Sequence, residues 1–277
     1  MTTADVNNPI DTYVTRQEFK MLIGGEFVDS SNGEVLPVTN PSTGHQIAEV
    51  PSASAQDIDR AVAAAKAAQP AWEALGVNGR TACMEKFGQL VRDNRERLAM
   101  LDAIDCGNPV EAMRFDIDIC DAYLSGWPAL AKSLTGEVIP ASPGNLHYTA
   151  HRPFGVVGRI TAFNHPAMFA ITRPLPSLIT GNTLVMKPSE ETSLSMLALA
   201  ELFDEAFPRG VVNIVTGGVS TGDAVVTHPS IKRLAFTGSV GTGLVIQRRA
   251  AESGHVKHVS LELGGKNAMV VFPDVDL

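Results

Sequence analysis

Cysteine is scarce in this chain, and where it stands excludes two kinds of site. Cys83, Cys106 and Cys120 form no C-x-x-C pair and no zinc spacing, so the sequence carries neither a zinc finger nor a dithiol redox centre. Cys83 shares a helical face with Phe87, Leu90 and Val91, and Cys120 shares one with Met113, Ile117 and Leu124. Both read as small core residues. Cys106 closes a helix in Asp105-Cys106-Gly107-Asn108-Pro109 with no neighbouring base to activate it, and it reads as structural too. Long apolar runs are also missing; none approaches the roughly 18–20 residues of a membrane span. An excess of positive charge is missing as well. A formal net charge of -8 argues against nucleic acid or an anionic membrane as partner. The opening MTTADVNNPIDTYVTRQEF has no apolar signal core and no Arg-rich amphipathic pattern, so the expected location is the cytoplasm.

What is present is the composition of a soluble globular protein, 44% hydrophobic and 19% charged. Its 277 residues suffice for one large domain or two ordinary ones. Residues 1–18 are polar and read as a loose arm. Phe19 to Thr39 alternates and is punctuated by Gly24-Gly25 and Asn32-Gly33, which predicts antiparallel hairpins, and Gln46 to Val50 reads as another strand. Ser54 with Asp57 three residues on predicts a capped helix start. Amphipathic helices are expected over about Gly79–Ile104 and Val110–Leu134. Asp116, Asp118 and Asp121 do not share one helical face, so they read as solvated surface rather than a metal site. Asn145–Arg152 alternates before Pro153 and suits an exposed ribbon able to pair with a neighbouring subunit.

The pattern then becomes regular. Strands are expected at Gly155–Thr161, Thr183–Lys187, Val211–Val215, Ile231–Phe236 and His255–Leu263, with Asn267–Phe272 as one more candidate. Helices are expected at Pro166–Ile179, Thr192–Phe207, Ser220–Thr227 and Ser239–Glu252. This alternation predicts an α/β fold: a Rossmann-like parallel sheet with helices on both faces, preceded by hairpins and helices. Ligands of such sheets sit beyond the carboxyl ends of the strands. Those ends deliver Ile160-Thr161-Ala162-Phe163-Asn164-His165, Lys187-Pro188-Ser189-Glu190, Thr216-Gly217-Gly218, Phe236-Thr237-Gly238-Ser239 and Glu262-Leu263-Gly264-Gly265-Lys266. Gly238, Gly241 and Gly243 give G-x-x-G-x-G, not the G-x-G-x-x-G of the usual dinucleotide turn.

Together with Ile23-Gly24-Gly25-Glu26-Phe27 and Asn40-Pro41-Ser42-Thr43-Gly44, these segments resemble the aldehyde dehydrogenase superfamily over nearly the whole chain. The resemblance implies NAD-dependent oxidation of an aldehyde to a carboxylic acid through a cysteine thioester. It implies Lys187 and Glu190 on the adenosine ribose, with NAD preferred over NADP because a carboxylate repels a 2′-phosphate. It implies Gly238, Ser239, Val240, Gly241, Thr242 and Gly243 under the pyrophosphate, although many members carry an acidic residue where Gly241 stands. Ile160, Thr161, Ala162, Phe163, Ser189, Gly217, Gly222, Phe236 and Leu263 complete the expected cofactor contacts. Asn164 is expected to hold the oxyanion, and Glu262, partly desolvated, to activate the hydrolytic water. Met168 and Phe169 are expected on the aldehyde channel, while His165 has no role in the resemblance and reads as incidental.

The resemblance also implies a division into an arm (1–18), hairpins and helices packing on the cofactor domain (19–140) and an oligomerisation ribbon (141–154). The NAD-binding domain (155–270) and the start of a catalytic domain (271–277) follow. The family's cysteine falls beyond the Glu-Leu-Gly-Gly-Lys motif, and none of the three here matches it. The expectation is a cofactor-binding part, inactive alone, that forms a homo-oligomer or associates with a catalytic-domain polypeptide. A non-catalytic NAD-binding module, or a structural remnant, stays open as the alternative.

Overall fold

A computed structural model of the chain describes residues 19–276, so the expected arm falls outside the described residues. Strands β1 (Met21–Ile23) and β2 (Glu26–Val28) form a tight hairpin through Gly24 and Gly25, both at positive φ. Strands β3 (Val35–Thr39) and β4 (Gln46–Pro51) form a separate hairpin. Helix α1 (Ala55–Ala74) opens on the predicted capping box: Asp57 N–H donates to Ser54 Oγ, and Ser54 N–H donates to the Asp57 carboxylate at 3.0 Å.

The helix expected over Gly79–Ile104 is two helices, α2 (Gly76–Asp93) and α3 (Arg95–Cys106). Asn94 divides them. Its side-chain amide donates to Leu90 O at 2.9 Å, competing with the backbone bonds that would continue the helix. Helix α4 (Val110–Ala131) leads to an exposed ribbon, β5 (Val138–Ile139) against β6 (His147–Tyr148), whose first strand lies ahead of the stretch that alternates in the sequence.

After β7 (Val156–Ile160), the helix expected over Pro166–Ile179 is again divided, into α5 (Pro166–Thr172) and α6 (Leu175–Ile179). Pro174 has no N–H with which to continue the first of them. The remainder alternates as β8 (Thr183–Lys187), α7 (Leu194–Ala206), β9 (Val212–Ile214), α8 (Val219–Thr227), β10 (Ile231–Thr237), α9 (Val240–Glu252) and β11 (His258–Glu262). No strand forms over 267–272. There Met269, Val270, Val271 and Phe272 are exposed, and no neighbouring strand pairs with the segment among the described residues.

The main sheet has the order β11-β10-β7-β8-β9-β1-β2. Its five strands from β11 to β9 are parallel, and the β1–β2 hairpin adds antiparallel to β9 through Leu22 opposite Ile214. Asn213 fastens that edge by accepting from Gly24 N–H at 2.8 Å. Alternation along the strands separates two cores. Val157, Leu184, Met186, Val212 and Ile214 face one core, with α2–α7, where Phe87 stacks on Phe203 at 4.3 Å. Val156, Val185, Leu234 and Phe236 face the other, with α1, α8 and α9. Gly158 is required on that second face, because a Cβ there would come within 2.9 Å of Val225 and 3.0 Å of Leu234. No helix among the described residues is long and apolar enough to cross a membrane.

Candidate functional site

The carboxyl ends of β7, β8 and β10, with α8 and α9, enclose a cavity of about 320 Å³. Of the cofactor residues expected from sequence, Ile160, Thr161, Ala162, Phe163, Lys187, Ser189, Glu190, Gly222, Phe236, Gly238, Ser239 and Thr242 line it together. Lys187 is 3% exposed at the end of a fully buried strand. Burial pulls its pKa down, while Glu190, 3.2 Å from Nζ, pulls it back up. Nζ also donates to Pro188 O at 3.0 Å, and its third N–H has no partner among the described residues. Glu190 is half exposed at the cavity mouth.

Ser239 caps α9 by accepting from Thr242 N–H at 3.1 Å, so that helix presents its first amides beside the cavity. A Cβ on Gly238 would fall 2.4 Å from the Phe236 ring, and Gly241 faces open space. Gly217, Val240, Gly241, Gly243 and Leu263 do not line the cavity. Gly217 shapes the turn into α8 at φ +147°, where a Cβ would meet Thr221 Oγ1 at 2.0 Å. Gly243 lets α9 pack on the end of β11, since a Cβ would lie 2.8 Å from Leu263.

The opposite wall holds residues the sequence reading missed. Val219, Asp223 and Val226 of α8, with Gly222, occupy i, i+3, i+4 and i+7. Val245, Ile246 and Arg249 of α9 stand in the same relation to Thr242. Continuing the helical period from Gly222 and from Thr242 would have found both stripes. Arg249 and Asp223 pair across the two helices, and the pairing holds the Asp223 carboxyl below its ordinary range.

Beyond Phe163, Asn164 is exposed, and the segment that carries it is gripped from three places. Asn108 Nδ2 donates to Asn164 O at 2.8 Å, and Asp102 accepts from Ala167 N–H at 3.0 Å. Asp116 lies 2.6 Å from His165 Nδ1. The last contact corrects two expectations. Asp116 is 5% exposed rather than solvated, and His165 holds a buried carboxylate rather than standing idle. Asp118 and Asp121 do lie at the surface, paired with Arg95 and Arg92. Glu262 ends β11 and is exposed rather than desolvated. None of the three cysteines lines the cavity. Burial raises the thiol of Cys83, that of Cys106 to about 11 and that of Cys120 to about 12, so all three are protonated at neutral pH.

The aldehyde dehydrogenase family model matches residues 27–277. The chain belongs to the aldehyde dehydrogenase family. Aldehyde dehydrogenase tropH of Talaromyces stipitatus is 41% identical over 241 residues, which are 86% of this chain and 46% of that protein. The NAD+ complex structure of aldehyde dehydrogenase from Bacillus cereus superposes with a TM-score of 0.88 at 38% identity, over 99% of this chain and 56% of that one. An E. coli enzyme described as NADP dependent gives a TM-score of 0.84 at 34% identity, over 89% of this chain and 51% of its own. The chain thus spans about half the length of these three proteins. Within that half lie the parallel sheet and the cavity at its strand ends.

Proposed function

We propose that this chain is the cofactor-binding part of an aldehyde dehydrogenase that oxidises an aldehyde to a carboxylic acid with NAD. The observation that carries the reading is Lys187: a buried ammonium at a strand end, with a free donor beside the cavity and a carboxylate next to it. Its ammonium and Glu190 suit a vicinal diol, the cation donating to one hydroxyl and the carboxylate accepting from the other. A 2′-phosphate would meet the Glu190 charge, which favours NAD. Ser239, Thr242 and the first amides of α9 suit the pyrophosphate, and the open space at Gly241 leaves room for it. When bound, the nicotinamide accepts a hydride.

Asn164, clamped through its backbone by Asn108, is the donor for a developing oxyanion, and Glu262 is the base that takes a proton from water. The exposed β5–β6 ribbon is the surface for association with a second copy or with a catalytic-domain polypeptide. The test is calorimetric titration of the chain with NAD and with NADP. Saturable binding at least about tenfold tighter for NAD is expected, a difference of about 1.4 kcal/mol. Equal affinities would remove Glu190 from the ribose clamp, and no binding of either would leave a structural remnant as the better reading.

The nucleophile is not among this chain's own cysteines, since all three thiols are protonated and outside the cavity. The 277-residue polypeptide is therefore expected to give no steady NADH production from aldehydes. Turnover that Cys106→Ser abolishes would overturn that assignment.

A further inference from the structure

Between the ribbon and the β7–β10 part of the sheet lies a second cavity, of about 590 Å³, which shares no lining residue with the cofactor cavity. Its cations are not equivalent. Arg80 is spent on structure, with Nε donating to Ile179 O at 2.8 Å and Nη1 to Glu73 O and Trp72 O. Arg152 pairs with Glu73 at the surface. Arg159 has no such use, and its buried Nε has no hydrogen-bond partner among the described residues.

The sheet register puts Arg159 on β7 in the same face as Arg233 on β10 and His258 and Ser260 on β11. Arg233 donates to Ser260 Oγ at 2.8 Å and lies over the Phe154 ring, and it adds a second positive charge near Arg159. Burial, and then the charges of Arg173 and Arg233, push the pKa of Arg159 down to about 10, with Glu262 the weakest influence and the opposing one. Arg159 is half-buried with its Nε fully enclosed, and a guanidinium so placed with no anion against it among the described residues is an unfavourable arrangement.

We propose that this cavity is a carboxylate-binding site centred on Arg159, with Arg233 as the second cation. The planar fork of a guanidinium matches a carboxylate in two parallel hydrogen bonds. Val77, Leu134, Phe154 and Ile179 line the same space, so the ligand is a carboxylate on an apolar body rather than a small hydrated anion. The carboxylate comes either from a free organic acid or from an acidic side chain of a polypeptide that packs over the ribbon. The site does not depend on the cofactor reading.

The experiment is the thermal midpoint of the full chain in sodium benzoate, in inorganic phosphate and in sodium chloride at matched ionic strength. It is run on the parent protein, Arg159→Met and Arg159→Lys. Benzoate is expected to raise the parent midpoint by about 2–3 °C at ten times its dissociation constant, beyond any effect of chloride, and to exceed phosphate. Arg159→Met should show no such rise and should be at least as stable as the parent in plain buffer. Arg159→Lys, with the charge but not the fork, should respond less than the parent. Saturation below about 1 mM points to a free acid; saturation only well above it points to a polypeptide carboxylate, which tethering presents at millimolar effective concentration. A parent midpoint that benzoate moves no more than chloride overturns the proposal, as does an Arg159→Met response equal to the parent's. If Arg159→Met does not fold, ligand-observed NMR of benzoate on the parent and Arg159→Lys gives the same comparison.

Discussion

The protein is expected to lose stability as pH rises from about 4 to about 7, and Asp102→Asn to remove much of that loss. Asp102 is fully buried between α3 and α5, and this burial raises its carboxyl to about 7 despite the N–H donated by Ala167. The Asp116 charge raises it further and His165 opposes. Asp105, one turn along, is raised to about 7 for the same reason while it accepts from Leu194 N–H at 2.9 Å. The unfolded chain titrates these groups near 3.9, so the folded state binds protons more tightly. Stability linked to them is therefore fully present below about pH 3.9 and is lost as pH rises through about 7.

For Asp102 the loss is on the order of 4 kcal/mol when complete. Asparagine keeps an acceptor for the Ala167 amide but cannot ionise, so Asp102→Asn should be the more stable protein at pH 8 and lose its advantage toward pH 5. Urea unfolding midpoints across this range decide it. Parallel profiles for the two proteins would show that Asp102 is not the titrating group. Ala167 lies only three residues past Asn164, so ionisation of Asp102 acts on the anchor of the segment that carries the proposed oxyanion donor.

Lys187→Met is expected to weaken NAD binding by about 10- to 100-fold, the usual weight of a hydrogen bond from a charged group, about 1.5–3 kcal/mol. Methionine matches the length and apolar stem of the lysine, so the fully buried strand β8 should keep its packing. Thermal stability should not fall by a comparable amount, because burial already works against the charged form of Lys187. This separation makes the result interpretable. A large loss of affinity with a preserved midpoint places Lys187 in contact with the cofactor, whereas equal losses of both would make it a structural residue only. Glu190→Gln in the same titration should narrow the gap between NAD and NADP by removing the charge at the cavity mouth.

Most of the β/α alternation was legible because each strand and helix carries its own period and its own punctuation. Thr183–Lys187 is bounded in the structure as its pattern predicts, and the Ser54–Asp57 and Ser239–Thr242 caps lie within a few residues of chain. The helix boundaries that failed, at Asn94 and Pro174, turn on single residues whose local chemistry outweighs a continuous apolar stripe. The wall of the strand-end cavity was half legible. Strand ends are marked by glycine and charge, but the α8 and α9 stripes need the knowledge that both helices face one crevice.

The sequence by itself determined the fold class, the family and the residues delivered to each strand end, since all of these depend on contacts or motifs local in the chain. Tertiary structure decided what lies far apart in sequence and close in space. It set the β1–β2 hairpin on the edge at β9, and it turned Asp116 inward to meet His165 from 49 residues away. It also left the Arg159 Nε buried with no hydrogen-bond partner among the described residues. The physical reason is that burial of a charge and the choice of its partner are set by what packs over it. No local pattern records that.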